Sequence, residues 1–102
     1  MAAGSWDELA NALLGEPGVV EGTMFGMDCL KVGGRVFAGS WRGGVVVKVP
    51  RERVAELVAA GDGAPFDPGM GRVMREWVLV ADPGAWEPLA REAHAFVGAS
   101  AR

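Results

Sequence analysis

The stretch from residue 23 to residue 50 limits the possible folds of this chain more than any other part of it. It contains runs rich in valine and aromatic residues, which favour strands, separated by pairs of glycines. Glycine adopts the positive φ angles of a two-residue hairpin turn without steric cost, so Gly33-Gly34 predicts one hairpin. A second turn is predicted within residues 41–44. Three antiparallel strands follow, over residues 28–32, residues 35–41 and a valine run that starts at Val45.

The Gly33-Gly34 turn also predicts which residues face each other across the first hairpin. A two-residue loop at this position places Leu30 opposite Phe37 and Cys29 opposite Ala38. One face of the sheet would then carry Val36, Ala38, Val45, Val47 and Val49, and the other Leu30, Val32, Phe37, Trp41 and Val46. Both faces are apolar, although an antiparallel sheet in a small domain often leaves one face to water. We therefore expect either helices on both sides of the sheet or a face that meets a partner, and a homodimer is one such hypothesis.

Three helices and a fourth strand complete the prediction. Ser5-Trp6-Asp7-Glu8 has the pattern of a capping box, and apolar residues recur after it at helical spacing until the segment Gly15-Glu16-Pro17-Gly18. Pro50 suits the start of a second helix that ends at Gly61, because the first helical turn does not need its missing N–H. A last helix carries Trp86, Leu89, Ala90, Ala93, Phe96 and Val97, with Pro88 predicted in its first turn.

Residues 62–71 form a predicted loop held by Phe66, and residues 72–81 the fourth strand. The predicted order is α-β-β-β-α-β-α, which describes an α+β domain with an antiparallel sheet of about four to five strands and three helices. With 102 residues the chain is short enough for a single domain, covering residues 1–102.

Composition and charge narrow the classes of function. The net charge is −3, but residues 1–30 sum to −5 and residues 31–53 to +5. An acidic total disfavours general nucleic-acid binding, whereas the local basic segment keeps it open. The single cysteine cannot form an internal disulfide, and the N-terminus lacks the pattern of a signal peptide. We therefore expect a cytoplasmic protein without a membrane partner, and we expect no cofactor. The abundance of Ala, Gly, Val and Arg is typical of a GC-rich bacterial genome.

Several short motifs, taken in order, resemble the N-terminal domain of the TfoX/Sxy family, which is related in fold to the YjbR-like proteins. They are Met24-Phe25-Gly26, Val36-Phe37-Ala38, Val47-Lys48-Val49, Pro65-Phe66 and the run from Gly71 to Val78. The resemblance covers roughly residues 20–98 and implies an α+β domain with a regulatory role, such as transcription or competence regulation. Some YjbR-like proteins are described as DNA-binding. The family brings no catalytic residues to carry over.

Two functions therefore stay open from the sequence. The first is a non-enzymatic regulatory or adaptor domain that acts through protein contacts. The second is a nucleic-acid-binding domain that uses basic residues of the sheet with aromatic residues among them: Lys31, Arg35, Arg42, Lys48 and Arg75. Cys29 and His94 are the residue types most often found in redox or metal sites, but each stands alone in sequence, so we interpret them as packed or surface residues.

Overall fold

The computed structural model describes residues 4–69 and 71–100, which form three helices and a six-stranded antiparallel sheet. The helices are α1 (Trp6–Leu14), α2 (Arg51–Ala59) and α3 (Pro83–Ser100). The strands are β1 (Val19–Met24), β2 (Met27–Val32), β3 (Arg35–Trp41), β4 (Gly44–Lys48), β5 (Ala64–Pro65) and β6 (Trp77–Val80). The order in the sheet is β1-β2-β3-β4-β6-β5. The predicted α+β class and the antiparallel sheet are confirmed.

Local sequence signals account for the ends of the helices. Ser5 Oγ accepts a hydrogen bond from the Glu8 N–H at 3.2 Å, which is the N-cap bond of a capping box. The Ser5 hydroxyl also donates to the Glu8 carboxylate at 3.3 Å. Pro50 precedes α2 as predicted. Asp82 caps the start of α3, because its carboxylate accepts from the Gly84 N–H at 3.0 Å.

The prediction that Pro88 lies in the first turn of α3 is wrong. The helix begins at Pro83, so Pro88 is its sixth residue. Asp82 explains the early start, since its side chain and its carbonyl oxygen together bind the N–H groups of Gly84 and Ala85. A second proline is accommodated inside the helix at the cost of one backbone hydrogen bond.

Two strands were not predicted, and one is shorter than predicted. β1 pairs along its whole length with β2, and β5 contributes two residues at the opposite edge. The predicted fourth strand over residues 72–81 is confined to β6, because residues 71–76 leave the extended conformation before it begins.

All three helices pack on one face of the sheet, which we call the helix side. Its core joins apolar residues of every helix to Leu30, Phe37, Val45, Val47 and Val78. The Trp86 indole N–H is buried there and donates to the Val80 carbonyl oxygen at 2.8 Å. The expectation that helices might divide between the two faces is therefore wrong.

The opposite face, the open side, has a smaller cluster formed largely by the chain itself. Phe66 from the loop after α2 packs over Val46 and Trp77, with Met27 completing the buried set. The Phe66 ring meets Trp41 edge-on, with centroids 5.3 Å apart. The Met74 N–H donates to the Phe66 carbonyl oxygen at 2.9 Å, which fixes the covering segment. The chain thus covers by itself part of the face that the sequence leaves for a partner.

The predicted register of the first hairpin is wrong beyond its first two pairs. Val32 pairs with Arg35 and Lys31 with Val36, as the Gly33-Gly34 turn predicts, but Leu30 pairs with Ala38 and Cys29 with Gly39. A β-bulge therefore leaves Phe37 as an extra residue in β3. It turns Phe37 to the helix side beside Ala38, where its ring packs edge-on against His94 at 5.4 Å.

The bulge also changes which side chains share a face of the sheet. Leu30, Val32 and Phe37 belong to the helix side, and Val36 belongs to the open side, each opposite to the prediction. The predicted grouping of Ala38 with Val45, Val47 and Val49, and of Trp41 with Val46, is confirmed. One extra residue reverses the face of every side chain on one side of it, because side chains alternate along a strand.

Candidate functional site

A groove on the open side brings three cationic side chains together with one carboxylate. One wall is the end of β4 at Lys48, and the other is the segment of residues 72–77 that leads into β6. We call it the basic groove. Its volume is about 820 Å³, and its charged groups are Lys48, Arg72, Arg75 and a single carboxylate, Glu76.

Backbone hydrogen bonds hold the two walls of the basic groove together. The Val49 N–H donates to the Glu76 carbonyl oxygen at 3.1 Å, and the Trp77 N–H donates to the Met74 carbonyl oxygen at 3.1 Å. Lys48 stands directly opposite Trp77 in the β4–β6 pairing. The cations therefore extend from a fixed backbone, and Arg72 and Arg75 are solvent-exposed.

The structure brings only part of the predicted basic set together. Lys48 and Arg75 line the basic groove. Lys31 and Arg42 also belong to the open side: Lys31 crosses Gly22, and the Arg42 guanidinium lies 5.0 Å from the centre of the Trp41 ring. Arg35 pairs with Val32 of the helix-side core, so the register assigns it to the other face.

Arg72 is the groove residue that sequence reasoning missed. In a strand over residues 72–81, Arg72 and Arg75 would point to opposite faces, since they are three residues apart. The irregular backbone over residues 71–76 brings both into the same groove. The sequence signal that could have found it is the glycine at position 71. In the structure Gly71 has φ of 73°, a conformation that strands do not use.

The aromatic residues predicted to alternate with the cations are mainly core residues. Trp77 is 5% exposed, and Phe37 lies fully buried on the helix side. Trp41 is half-buried between Phe66 and Arg42. The flat rings of the sheet are therefore not available as a platform on which bases could stack.

Two arginines of the helices, Arg53 and Arg91, are paired with carboxylates, unlike the cations of the basic groove. Arg53 donates to Glu92 at 2.9 Å and to Glu56 at 3.5 Å, and the hydrogen bonds to these carboxylates, that to Glu92 above all, raise the pKa of Arg53. Arg91 pairs with Glu16 and Glu87 in the same way. Within residues 4–69 and 71–100, Lys48, Arg72 and Arg75 form no ion pair.

Cys29 and His94 do not come together as a reactive pair. Cys29 is 1% exposed and faces Gly39, and burial raises the pKa of its thiol, partly opposed by Lys31. His94 on α3 packs against Phe37, and its Nε2 is buried without a hydrogen-bond partner among the described residues. No group of three or more His, Cys, Asp or Glu side chains in that part of the chain could hold a metal ion.

We expect the Cys29 thiol to resist alkylation by iodoacetamide in the native protein at pH 8 and to react after denaturation. The reactive species is the thiolate, and burial keeps this group protonated. Because its folded pKa lies above the ordinary 9.0, the unfolded chain loses this proton first, so stability should fall as pH rises past 9.0. Mass spectrometry of alkylated samples measures the reaction. Rapid labelling of native protein would contradict the buried position.

Among the residues that the structure describes, none of the helices combines the length and apolar character needed to span a bilayer. The predicted protein partner and the predicted homodimer stay predictions.

The comparisons with known proteins agree with this fold. The family model for YjbR matches residues 14–96. This span runs from the end of α1 through the whole sheet to most of α3. Neither the comparison with curated proteins nor the comparison with solved structures gave a match. The implied kinship with YjbR-like proteins is therefore confirmed, with TfoX/Sxy as a related family, and the chain belongs to the YjbR family.

Proposed function

We propose that the protein is a nucleic-acid-binding domain whose basic groove holds the phosphate backbone. The observation that carries this proposal is the convergence of Lys48, Arg72 and Arg75 on one cavity without carboxylate partners among the described residues. Cations that are already ion-paired gain little from a phosphate, whereas unpaired ones exchange only water and counterions. Arg53 and Arg91, which already bind carboxylates, contrast with these three cations.

Phosphate contacts position a nucleic acid but do not read its sequence. The groove offers cations and the half-buried carboxylate of Glu76, and its aromatic residue, Trp77, is buried. Binding in the groove should therefore depend weakly on base sequence and strongly on salt.

The other predicted function, a regulatory or adaptor role through protein contacts, has less support. The apolar character of both sheet faces and the family resemblance motivate it, and Phe66 and Met74 cover part of one of these faces. It stays a prediction.

A salt titration tests the proposal. Fluorescence anisotropy with a labelled duplex of random sequence should give a slope of log K against log salt of about −2.7 for three neutralised phosphates. With a labelled single strand the same three groove contacts should contribute about −2.1 to the slope. Duplex affinity should then fall roughly 40-fold between 50 and 200 mM salt. No binding of either probe at 20 mM salt, or binding without a salt slope, would overturn the proposal.

A further inference from the structure

Among residues 4–69 and 71–100, two exposed residues other than glycine have a left-handed backbone. They are Phe25, with φ of 53°, and Arg42, with φ of 47°. Each begins a two-residue hairpin turn and is followed by a glycine that also has positive φ. Asparagine, aspartate and glycine are the residues that favour this position, and a bulky side chain there is strained. The third hairpin has glycine at both turn positions, Gly33 and Gly34.

The two strained turns lie at the same end of the sheet. The β1–β2 turn and the β3–β4 turn share this end, because the β2–β3 turn at Gly33-Gly34 lies at the other. Two strand spacings separate the two turns, which is about 10 Å. Lys48 and the basic groove lie at the far end of β4, about 20 Å from Arg42 at the usual rise per residue of a strand.

Phe25 differs from every other aromatic residue in its exposure. The chain has eight Phe and Trp residues, and the structure describes all of them. Phe25 has 47% of its surface exposed, whereas the other seven are buried or half-buried. Its turn would be more stable with asparagine or glycine in its place. Strained residues persist at functional sites, where the side chain is needed in spite of its backbone.

We propose that Phe25 stacks on a base of a single-stranded nucleic acid, while Arg42 contacts a phosphate of the same strand. This inference rests on the proposed function and names its substrate class. The gap of about 10 Å between the two turns is short enough for one strand to reach both residues. The basic groove, about 20 Å from Arg42, would hold backbone farther along the same strand. An exposed ring supplies the stacking that the buried sheet aromatics do not.

The substitution Phe25→Asn separates this role from a structural one. Asparagine suits the turn, so thermal stability should rise or stay level, while affinity for a single-stranded 12-mer should fall about 10-fold. The slope of affinity against salt should not change, because no phosphate contact is lost. Phe25→Gly should behave in the same way, and Val20→Asn, on exposed β1, should keep the parent affinity.

The outcomes are distinguishable from those of the proposed function. If the parent binds with the expected salt slope and Phe25→Asn binds equally well, the role of Phe25 is overturned and the proposed function stands. If the parent binds neither probe, both are overturned. Duplex affinity that falls as much as single-strand affinity, or a Phe25→Asn variant less stable than the parent, would also overturn the role of Phe25.

Discussion

Replacing Phe66 by alanine should lower the free energy of unfolding by about 3–5 kcal/mol, the usual cost of removing a buried aromatic side chain. Phe66 is 1% exposed, although it belongs to a loop, and it contacts Trp41 and Trp77 as well as covering Val46. Its loss would open the cluster on the open side to water. Urea denaturation followed by circular dichroism measures the change, and tryptophan emission should shift to the red.

A substitution in the same covering segment provides the control. Val73 is 54% exposed, so Val73→Ala should change stability by no more than about 0.5 kcal/mol. A Phe66→Ala variant that loses less than about 1 kcal/mol would show that the sheet does not depend on this cover for its stability.

The triple substitution Lys48→Ala, Arg72→Ala and Arg75→Ala should lower affinity for a random duplex by roughly 100- to 1,000-fold at 50 mM salt. Sequence-independent binding rests almost entirely on counterion release, and these three cations are the ones that line the basic groove. The salt slope should approach zero. Stability should change little, since two of the three side chains are exposed and none is ion-paired among the described residues.

A second triple variant removes the same charge from the helix side. Arg51→Ala, Arg53→Ala and Arg91→Ala should leave affinity within a few-fold of the parent, because Arg53 and Arg91 are paired with carboxylates there. Equal losses of affinity in the two triple variants would mean that net charge, and not the groove, governs binding. Arg35→Ala should also leave the affinity for the duplex unchanged, since the register assigns this residue to the helix side.

Local chemistry made much of the fold predictable. The Ser5–Glu8 box, the proline before α2 and the glycine turn at Gly33-Gly34 each act within a few residues, so the sequence pattern is sufficient to recognise them. β1 was not predicted because Glu21 and Gly22 interrupt the alternation of apolar and polar residues along it. Its place in the sheet comes from main-chain pairing with β2.

The parts that could not be predicted depend on contacts distant in sequence. Phe37 becomes the extra residue of a bulge because its ring is buried on the helix side against His94, which lies 57 positions later. Arg72 joins the groove because the backbone departs from a strand over a segment tied to Phe66. The sequence predicted Lys48 and Arg75 as members of one basic set, but it could not predict that both line the same groove.

The separation of paired arginines from unpaired cations has a consequence for how the molecule would approach a ligand. Exposed carboxylates of all three helices lie on one side and the unpaired groove cations on the other. Such a molecule has a permanent dipole moment, and the field of a polyanion exerts a torque on it before any contact forms. The collision would then begin with the sheet already turned toward the polymer. Once bound, the helices would present an acidic exterior that discourages neighbouring copies from crowding along the same strand.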